Sequence, residues 1–242
     1  MRLSVQLYTV RDHLSQDLPG TLSQIQEAGL KFVELAGDYG KSGSEWRALL
    51  DERGLTASGA HIGLDALEHR FDETVAFVKA VGFSLVIVPW IGSDAYANGW
   101  AAFGQRLEPI AQRLAEHGLS LAYHNHDFEY ANGDGLSEMY ANAPTMVAEV
   151  DAAWVKIGGH DPVAVVTGLG NRVKAVHGKD FDPTATPRWK PAGQGVMPLP
   201  ELVQAAQQVG AEYLVIELDE SPADPLDAVR ESVTYYQSLG LN

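Results

Sequence analysis

One phrase recurs along this chain: a polar amphipathic stretch, a glycine, and then a short apolar run. It is seen in LSQIQEAGLKFVEL, WRALLDERGLTASGAHI, TVAFVKAVGFSLVIVPW, IAQRLAEHGLSLAYHNH, VVTGLGNRVKAVHGKD and LVQAAQQVGAEYLVIEL. Glycine just past the last turn ends a helix in the left-handed conformation, and the β-branched runs that follow read as buried strands. Each phrase is therefore a helix feeding a strand. With LSVQLYTV and TMVAEVDAAW added, strands are predicted near residues 3–8, 31–35, 56–62, 84–90, 119–125, 146–151, 173–178 and 213–218. Strands alternating with helices pair in parallel through crossovers, and eight such units in about 250 residues is the size of a closed (β/α)8 barrel. No Pro/Ser-rich linker divides the chain, so residues 1–242 are expected to form a single (β/α)8 TIM barrel of the α/β class. A doubly wound open sheet is the alternative. It would need a G-x-G-x-x-G turn after the first strand, which runs instead into QLYTVRD.

Charge and cysteine content narrow the chemistry. With 17 Lys+Arg against 32 Asp+Glu the net charge is −15, which repels a phosphate backbone and argues against nucleic acid as a partner. There is no cysteine, so a metal would have to sit on histidine and carboxylates. The opening MRLSVQLYTVRDHLSQDL has no apolar stretch long enough for a signal peptide or a membrane span, and a cytoplasmic protein with no membrane partner is expected. Self-association is left open.

In such a barrel the active site lies at the C-terminal ends of the strands. Here those ends are polar: Glu34, His61, His124-Asn125-His126, Glu149-Val150-Asp151, His177-Gly178-Lys179-Asp180 and Glu217-Leu218-Asp219. Strand alternation gives Glu149 and Asp151 one facing, and likewise His124 with His126 and Glu217 with Asp219. Singly, many of these have ordinary explanations. His61 or Glu34 fits a hydrogen-bonded rim, Asp219 and Glu220 a solvated lip, Asp180 and Asp182 the turn before PTATP, and Tyr8 and Trp90 rim packing. Asn125 is expected on the face opposite its histidine neighbours, and His13, His69, His117 and His160 on the surface. Jointly they are harder to dismiss, because ionisable groups are costly to bury unless a metal or a proton-transfer site accounts for them. Asp151, His177 and Glu217, from three different strands, are ligand types for one divalent Mn, Mg, Co or Zn ion.

QLYTVRD, FVELAG, AYHNHDFEY, EVDAAWVKIGGHDP, AVHGKDF and VIELDE, in that order along nearly the whole chain, resemble the xylose isomerase-like TIM-barrel proteins. More narrowly they resemble the sugar phosphate isomerase/epimerase branch. The resemblance implies one divalent metal at the barrel mouth, held by Asp151, His177 and Glu217, in an enzyme that isomerises, epimerises or dehydrates ketoses or ketocyclitols. It also implies a ligating Glu shortly before Asn125, where this chain reads Ala122-Tyr123-His124. Three substitutes are available: Glu149 reaching into the room beside Ala122, His124 itself, or Glu129 folding back. Glu149 is preferred because a second carboxylate suits a hard cation. The DNA-repair branch has a further His three residues after the sixth-strand Asp; Trp154 stands there, which implies a mononuclear site.

The expected reaction is isomerisation or epimerisation of a keto-sugar through an enediolate, by removal of a proton α to a metal-polarised carbonyl. Glu217 is the first candidate base and Glu149 the second. His61, His124, His126 and Lys179 are expected on the sugar hydroxyls, with Lys179 or His126 able to protonate a leaving group, and Tyr8, Glu129 and Trp154 complete the expected substrate contacts. Dehydration of a keto-sugar or keto-cyclitol is the alternative, and a sugar-binding barrel without catalysis the remote one. The basic residues near the mouth are few (Lys179, Arg11, Arg188, Lys190), which favours a neutral sugar over a phosphorylated one.

Overall fold

In the computed structural model, which describes residues 1–221 and 223–242, the predicted strands close into a barrel. β1 (Arg2–Gln6), β2 (Phe32–Ala36), β3 (Thr56–His61), β4 (Leu85–Val88), β5 (Ser120–His124), β6 (Val147–Asp151) and β7 (Val173–His177) pair in sequence order and in parallel. A short hairpin of β8 (Asp180–Phe181) and β9 (Trp189–Lys190) intervenes before β10 (Tyr213–Ile216), which closes the barrel between β7 and β1. The crossovers are α2 (Leu18–Glu27), α3 (Gly43–Glu52), α5 (Phe71–Val81), α6 (Trp100–Glu116), α7 (Gly135–Ala141), α9 (Pro162–Leu169) and α10 (Leu199–Gln208), and α11 (Pro225–Ser238) follows β10. Short helices α1 (Arg11–Gln16), α4 (Leu64–His69) and α8 (Ala152–Ile157) lie in the loops at the strand C-termini. This is a (β/α)8 barrel, and none of its described helices is long and apolar enough to cross a membrane.

Local chemistry sets the boundaries. Ser42 and Glu45 form a reciprocal capping box at the start of α3, and Gly82, at φ 95°, ends α5 where a side chain would be strained. Asp151 closes β6 and at the same time caps α8, accepting from the Trp154 backbone N–H at 3.0 Å. One side-chain oxygen of that residue is thereby oriented by the backbone. The strand predicted over 84–90 is shorter than expected, stopping at Val88 ahead of Pro89, which cannot donate to the ladder. The β8–β9 hairpin has no counterpart in the sequence reading.

Alternation along each strand divides the core in two. The outward residues, among them Leu3, Val5, Val33, Val86, Leu121, Val150 and Leu214, pack against the helices. The inward residues Leu85, Ile87, Ala122, Ala175, Tyr213 and Val215, with Phe32 and Val147, plug the lower barrel. One pleat nearer the strand C-termini the inward side becomes Glu34, His124, Glu149, His177 and Glu217, all buried. The apolar plug, stabilising by ~1.5–3 kcal/mol per fully buried large side chain, is what supports a charged floor.

The segment between β8 and the start of α10 folds over the mouth and is anchored by one carboxylate. Asp180 Oδ1 accepts from the backbone N–H of Phe181 (2.9 Å) and Met197 (3.1 Å), and Oδ2 from Gly193 (3.0 Å) and Gly195 (2.9 Å). It ties both ends of the segment together. Asp182 makes the expected local turn, accepting from Thr184 at 2.8 Å and 2.7 Å.

Candidate metal centre and substrate cavity

The polar floor has two tiers. In the upper tier His124, Asp151, His177 and Glu217 bring one ligand atom each to within 4.8 Å of one another. Asp151 and His177 are direct neighbours in the ladder between β6 and β7. His177 Nδ1 donates to Glu217 Oε2 at 2.7 Å, and His124 Nε2 faces Asp151 Oδ2 at 3.6 Å. In the lower tier Glu149 and Glu34 face the opposite nitrogens of the same rings. His124 Nδ1 lies 3.2 Å from Glu149 Oε2, and His177 Nε2 lies 2.9 Å from Glu34 Oε1 and 3.2 Å from Glu149 Oε1. His61 Nε2 bridges Glu149 Oε2 (3.0 Å) and Glu34 Oε1 (3.2 Å), and Gln6 Nε2 donates to Glu34 Oε1 at 2.7 Å.

Lys179, two residues beyond His177, is 1% exposed and lies against three carboxylates: Asp219 at 2.7 Å, Glu217 at 2.9 Å and Asp151 at 3.0 Å. Burial works against charge on Lys179 and His177, but the surrounding carboxylates outweigh it and raise both pKa values well above their ordinary range. His61, likewise opposed by burial, is pushed up to about 9 by its bonds to Glu149 and Glu34. Burial, then the charges of His177 and His61, lower His124, so its ring is neutral. Burial and Lys179 bring His126 down to about 3. Burial raises Asp151 to about 6 against the pull of Lys179, whereas Glu217 is held low because Lys179 and His177 overcome its burial.

Five carboxyl groups, Glu34, Glu149, Asp151, Glu217 and Asp219, crowd around three basic groups, Lys179, His177 and His61, and burial and mutual repulsion raise the pKa of Glu149, Asp151 and Asp219. Buried Glu34 Oε2, Glu149 Oε1, Asp151 Oδ2 and Asp219 Oδ2 have no hydrogen bond among the described residues. Two imidazole nitrogens and two carboxylate oxygens in reach of one point, in a floor with more carboxylates than cations, fit a divalent cation.

Above the floor opens a cavity of about 830 Å3. Its walls are aromatic: Tyr8, Trp90, Trp154 and Trp189, each from a different loop, with His61, His124 and His126 below and Glu217, Asp219 and Glu220 on one side. Trp90 is 63% exposed and Tyr8 44%. Arg188 also lines the cavity. Arg11 is turned to Tyr8 O (2.8 Å) and Asp219 O (3.0 Å), its guanidinium stacked on the Tyr8 ring.

The sequence-predicted residues thus divide. Asp151, His177 and Glu217 meet, with His124 beside them; Glu149 lies in the lower tier, where it forms a second group of possible ligands with His61, His124 and His177; Tyr8, His61, His126 and Trp154 reach the cavity. Glu129 does not. It is 1% exposed behind the loop after β5, its Oε1 accepting from Tyr123 Oη (2.7 Å) and its Oε2 from the His126 N–H (2.9 Å), so both oxygens are committed away from the mouth. Asn125 faces away from its histidine neighbours as expected, exchanging two hydrogen bonds with the Asp151 backbone. Two residues differ from the sequence expectation. Glu34 is fully buried in the floor rather than on a rim, and Asp219 is a cavity-lining partner of Lys179 rather than a solvated lip. The i, i+2 spacing of Glu217 and Asp219 held the signal for the second.

A parallel eight-stranded barrel with a histidine–carboxylate cluster at the strand C-termini defines a class of (β/α)8 proteins with a metal-type site. The chain belongs to the xylose isomerase-like TIM barrel family, whose model matches residues 22–239. Rhizopine catabolism protein MocC of Rhizobium meliloti is 24% identical to it over 85% of this chain and 76% of that protein. Inosose dehydratase of Lacticaseibacillus casei is 20% identical over 84% of this chain and 82% of the enzyme. A sugar phosphate isomerase/epimerase from Parabacteroides distasonis superposes with a TM-score of 0.80 at 21% identity, over 98% of this chain and 93% of that one. IOLI protein, crystallised with a zinc atom, gives 0.73 at 14% identity, over 99% and 98%. At these identities the structural likeness establishes the fold.

Proposed function

We propose that this protein is a divalent-metal-dependent enzyme that removes a proton α to the carbonyl of a neutral keto-sugar and returns one either to the neighbouring carbon, as an isomerase, or to the opposite face of the same carbon, as an epimerase. The observation that carries the reading is the upper-tier group of His124, Asp151, His177 and Glu217 at the floor of a sugar-sized cavity. These four would hold the cation, with His124 taking the place of the carboxylate absent at Ala122. When bound, the cation would supply Lewis-acid polarisation of the substrate carbonyl.

The chain's own groups account for the proton. Asp219, which lines the cavity, turns Oδ1 to Lys179 and leaves its buried Oδ2 without a partner among the described residues. This oxygen accepts the α-proton, and returning it to the neighbouring carbon gives isomerisation. Glu217, the base expected from sequence, is committed to His177 and Lys179 and becomes the second candidate. Lys179 stays charged and keeps Asp219 in place. His126 and the Trp154 Nε1–H, neither with a side-chain partner among the described residues, are free to bond sugar hydroxyls. The aromatic walls suit the apolar faces of a sugar ring. Lys179 and Arg11 are already engaged, leaving Arg188 as the one unpaired cation among the described lining residues, which favours an unphosphorylated substrate.

Dehydration is the second reading, favoured by the likeness to inosose dehydratase. There the proton taken by Asp219 would pass to a departing β-hydroxyl. The two are separated by incubating Mn2+-loaded protein with a panel of keto-sugars and keto-cyclitols in D2O and following proton NMR. A stereoisomer or shifted carbonyl with deuterium at the α-carbon supports the first, and loss of water the second. No exchange with any member of the panel, in protein that binds the metal, would refute both.

A further inference from the structure

We infer that Glu149 and Glu34 do not ligate the cation but dictate which ring nitrogen each histidine presents to it, so that His124 binds through Nε2 and His177 through Nδ1. This rests on the metal-site reading above and specifies its inner construction.

An ionised carboxylate only accepts hydrogen bonds, so an imidazole nitrogen held against one carries the proton, and the other nitrogen of a neutral ring keeps its lone pair. Glu149 Oε2 stands 3.2 Å from His124 Nδ1, which leaves Nε2 facing Asp151. For His177 the geometry is reversed. Nε2 faces two carboxylates, Glu34 at 2.9 Å and Glu149 at 3.2 Å, while Nδ1 faces Glu217 in the upper tier. Both nitrogens are thus held against carboxylates in the metal-free protein; a cation bound among the upper-tier groups would displace the proton of Nδ1, the nitrogen on its side, and leave Nε2–H bonded to the lower tier. Carboxylates that take the far N–H of a metal-bound histidine fix its tautomer and ring orientation, and they are removed at a cost of about 10–100-fold in metal affinity rather than outright loss. The lower tier is itself tied down: His61 bridges Glu149 and Glu34, and Gln6 donates to Glu34. Glu149 and Glu34 are therefore positioning residues, and the pair of opposite tautomers is their signature.

The test is a long-range 1H–15N correlation spectrum of protein labelled at the histidine ring nitrogens, before and after one equivalent of Zn2+, with His124 and His177 assigned from His124→Gln and His177→Gln. The expected result with zinc is a protonated Nδ1 on His124 and a protonated Nε2 on His177. Glu149→Gln should still bind one equivalent, about 10–100-fold more weakly by competition with a chelator. The inference is overturned, with the metal site intact, if both rings ligate through the same nitrogen, if His124 is unmoved by zinc, or if Glu149→Gln loses zinc altogether, which would make Glu149 a ligand. If neither ring responds and the wild-type protein takes up no zinc, the metal-site reading fails, and this inference with it.

Discussion

Glu129→Gln should remove a pH dependence built into the loop beneath His126. The Glu129 carboxyl is 1% exposed, and burial raises its pKa from 4.5 to about 7 against the opposing hydrogen bond from Tyr123. Because the folded protein holds this proton more tightly than the unfolded chain, the contribution is fully present below pH 4.5 and is lost as pH rises through about 7. At ~1.4 kcal/mol per pH unit across that interval the loss sums to roughly 3 kcal/mol, and it is constant at higher pH.

Glutamine matches the protonated form in shape and can satisfy both neighbours, Oε1 accepting from the His126 N–H and Nε2 donating to the Tyr123 hydroxyl, which is able to accept. Urea unfolding of both proteins in EDTA, from pH 4.5 to 8, isolates the effect, since every other titrating group is common to the two. The variant should be close to wild type at pH 4.5 and more stable by up to ~3 kcal/mol at pH 8. A difference that stays constant across the range would refute the argument. So would a variant less stable at both ends, which would mean that the hydrogen bonds rather than the charge decide.

Lys179→Met leaves Asp151, Glu217 and Asp219 without their shared cation; the metal-free protein should lose about 3–5 kcal/mol, as when one partner of a buried pair is removed, and a melt with added Mn2+ should recover much of it. His177→Ala should retain no metal after gel filtration, measured by elemental analysis, and should show no turnover while its circular dichroism is unchanged. Asp219→Asn should slow exchange of the substrate α-proton with solvent by ~100-fold or more, the scale of a general base, with metal content unaffected; normal exchange would move the base to Glu217. Asp180→Ala removes the acceptor of four backbone N–H groups, and limited proteolysis should then cut within residues 182–196, where the wild-type protein resists.

The fold was legible because its signal is repeated. A glycine after six of the helices and an apolar run after each of those glycines say the same thing several times, and a closed parallel barrel is the arrangement that satisfies all of them. The polar strand ends were legible for a related reason: Glu149-Val150-Asp151 and His177-Gly178-Lys179 interrupt runs that are otherwise apolar. What escaped was anything set by a loop. The β8–β9 hairpin is short and carries no alternation of its own. Asp180 satisfies backbone groups that are more than ten residues away at Gly193, Gly195 and Met197, and Glu129 is turned from the mouth by a tyrosine on the outer face of β5. Neither is visible in residue types.

Depth in the barrel was the other quantity missing, and it bears on which acidic residue does what. Residues i and i+2 of a strand share a facing but stand about 7 Å apart along it, so Glu149 and Asp151 face the same lumen from different heights. A register shift between Ala148 and Glu149 in the pairing with β7 sets Glu149 level with Ala175 and Asp151 level with His177. On the other side Glu149 is level with His124. His124 starts level with Glu149 and His177 level with Asp151, yet each ring spans both tiers, with one nitrogen to the carboxylates below and one to those above. A carboxylate one pleat down therefore meets the back of a ring, and the same residue one pleat up meets its front. Identical chemistry in identical facing separates into support and candidate ligand by height alone, which is a property of the register between strands and not of any one strand's sequence.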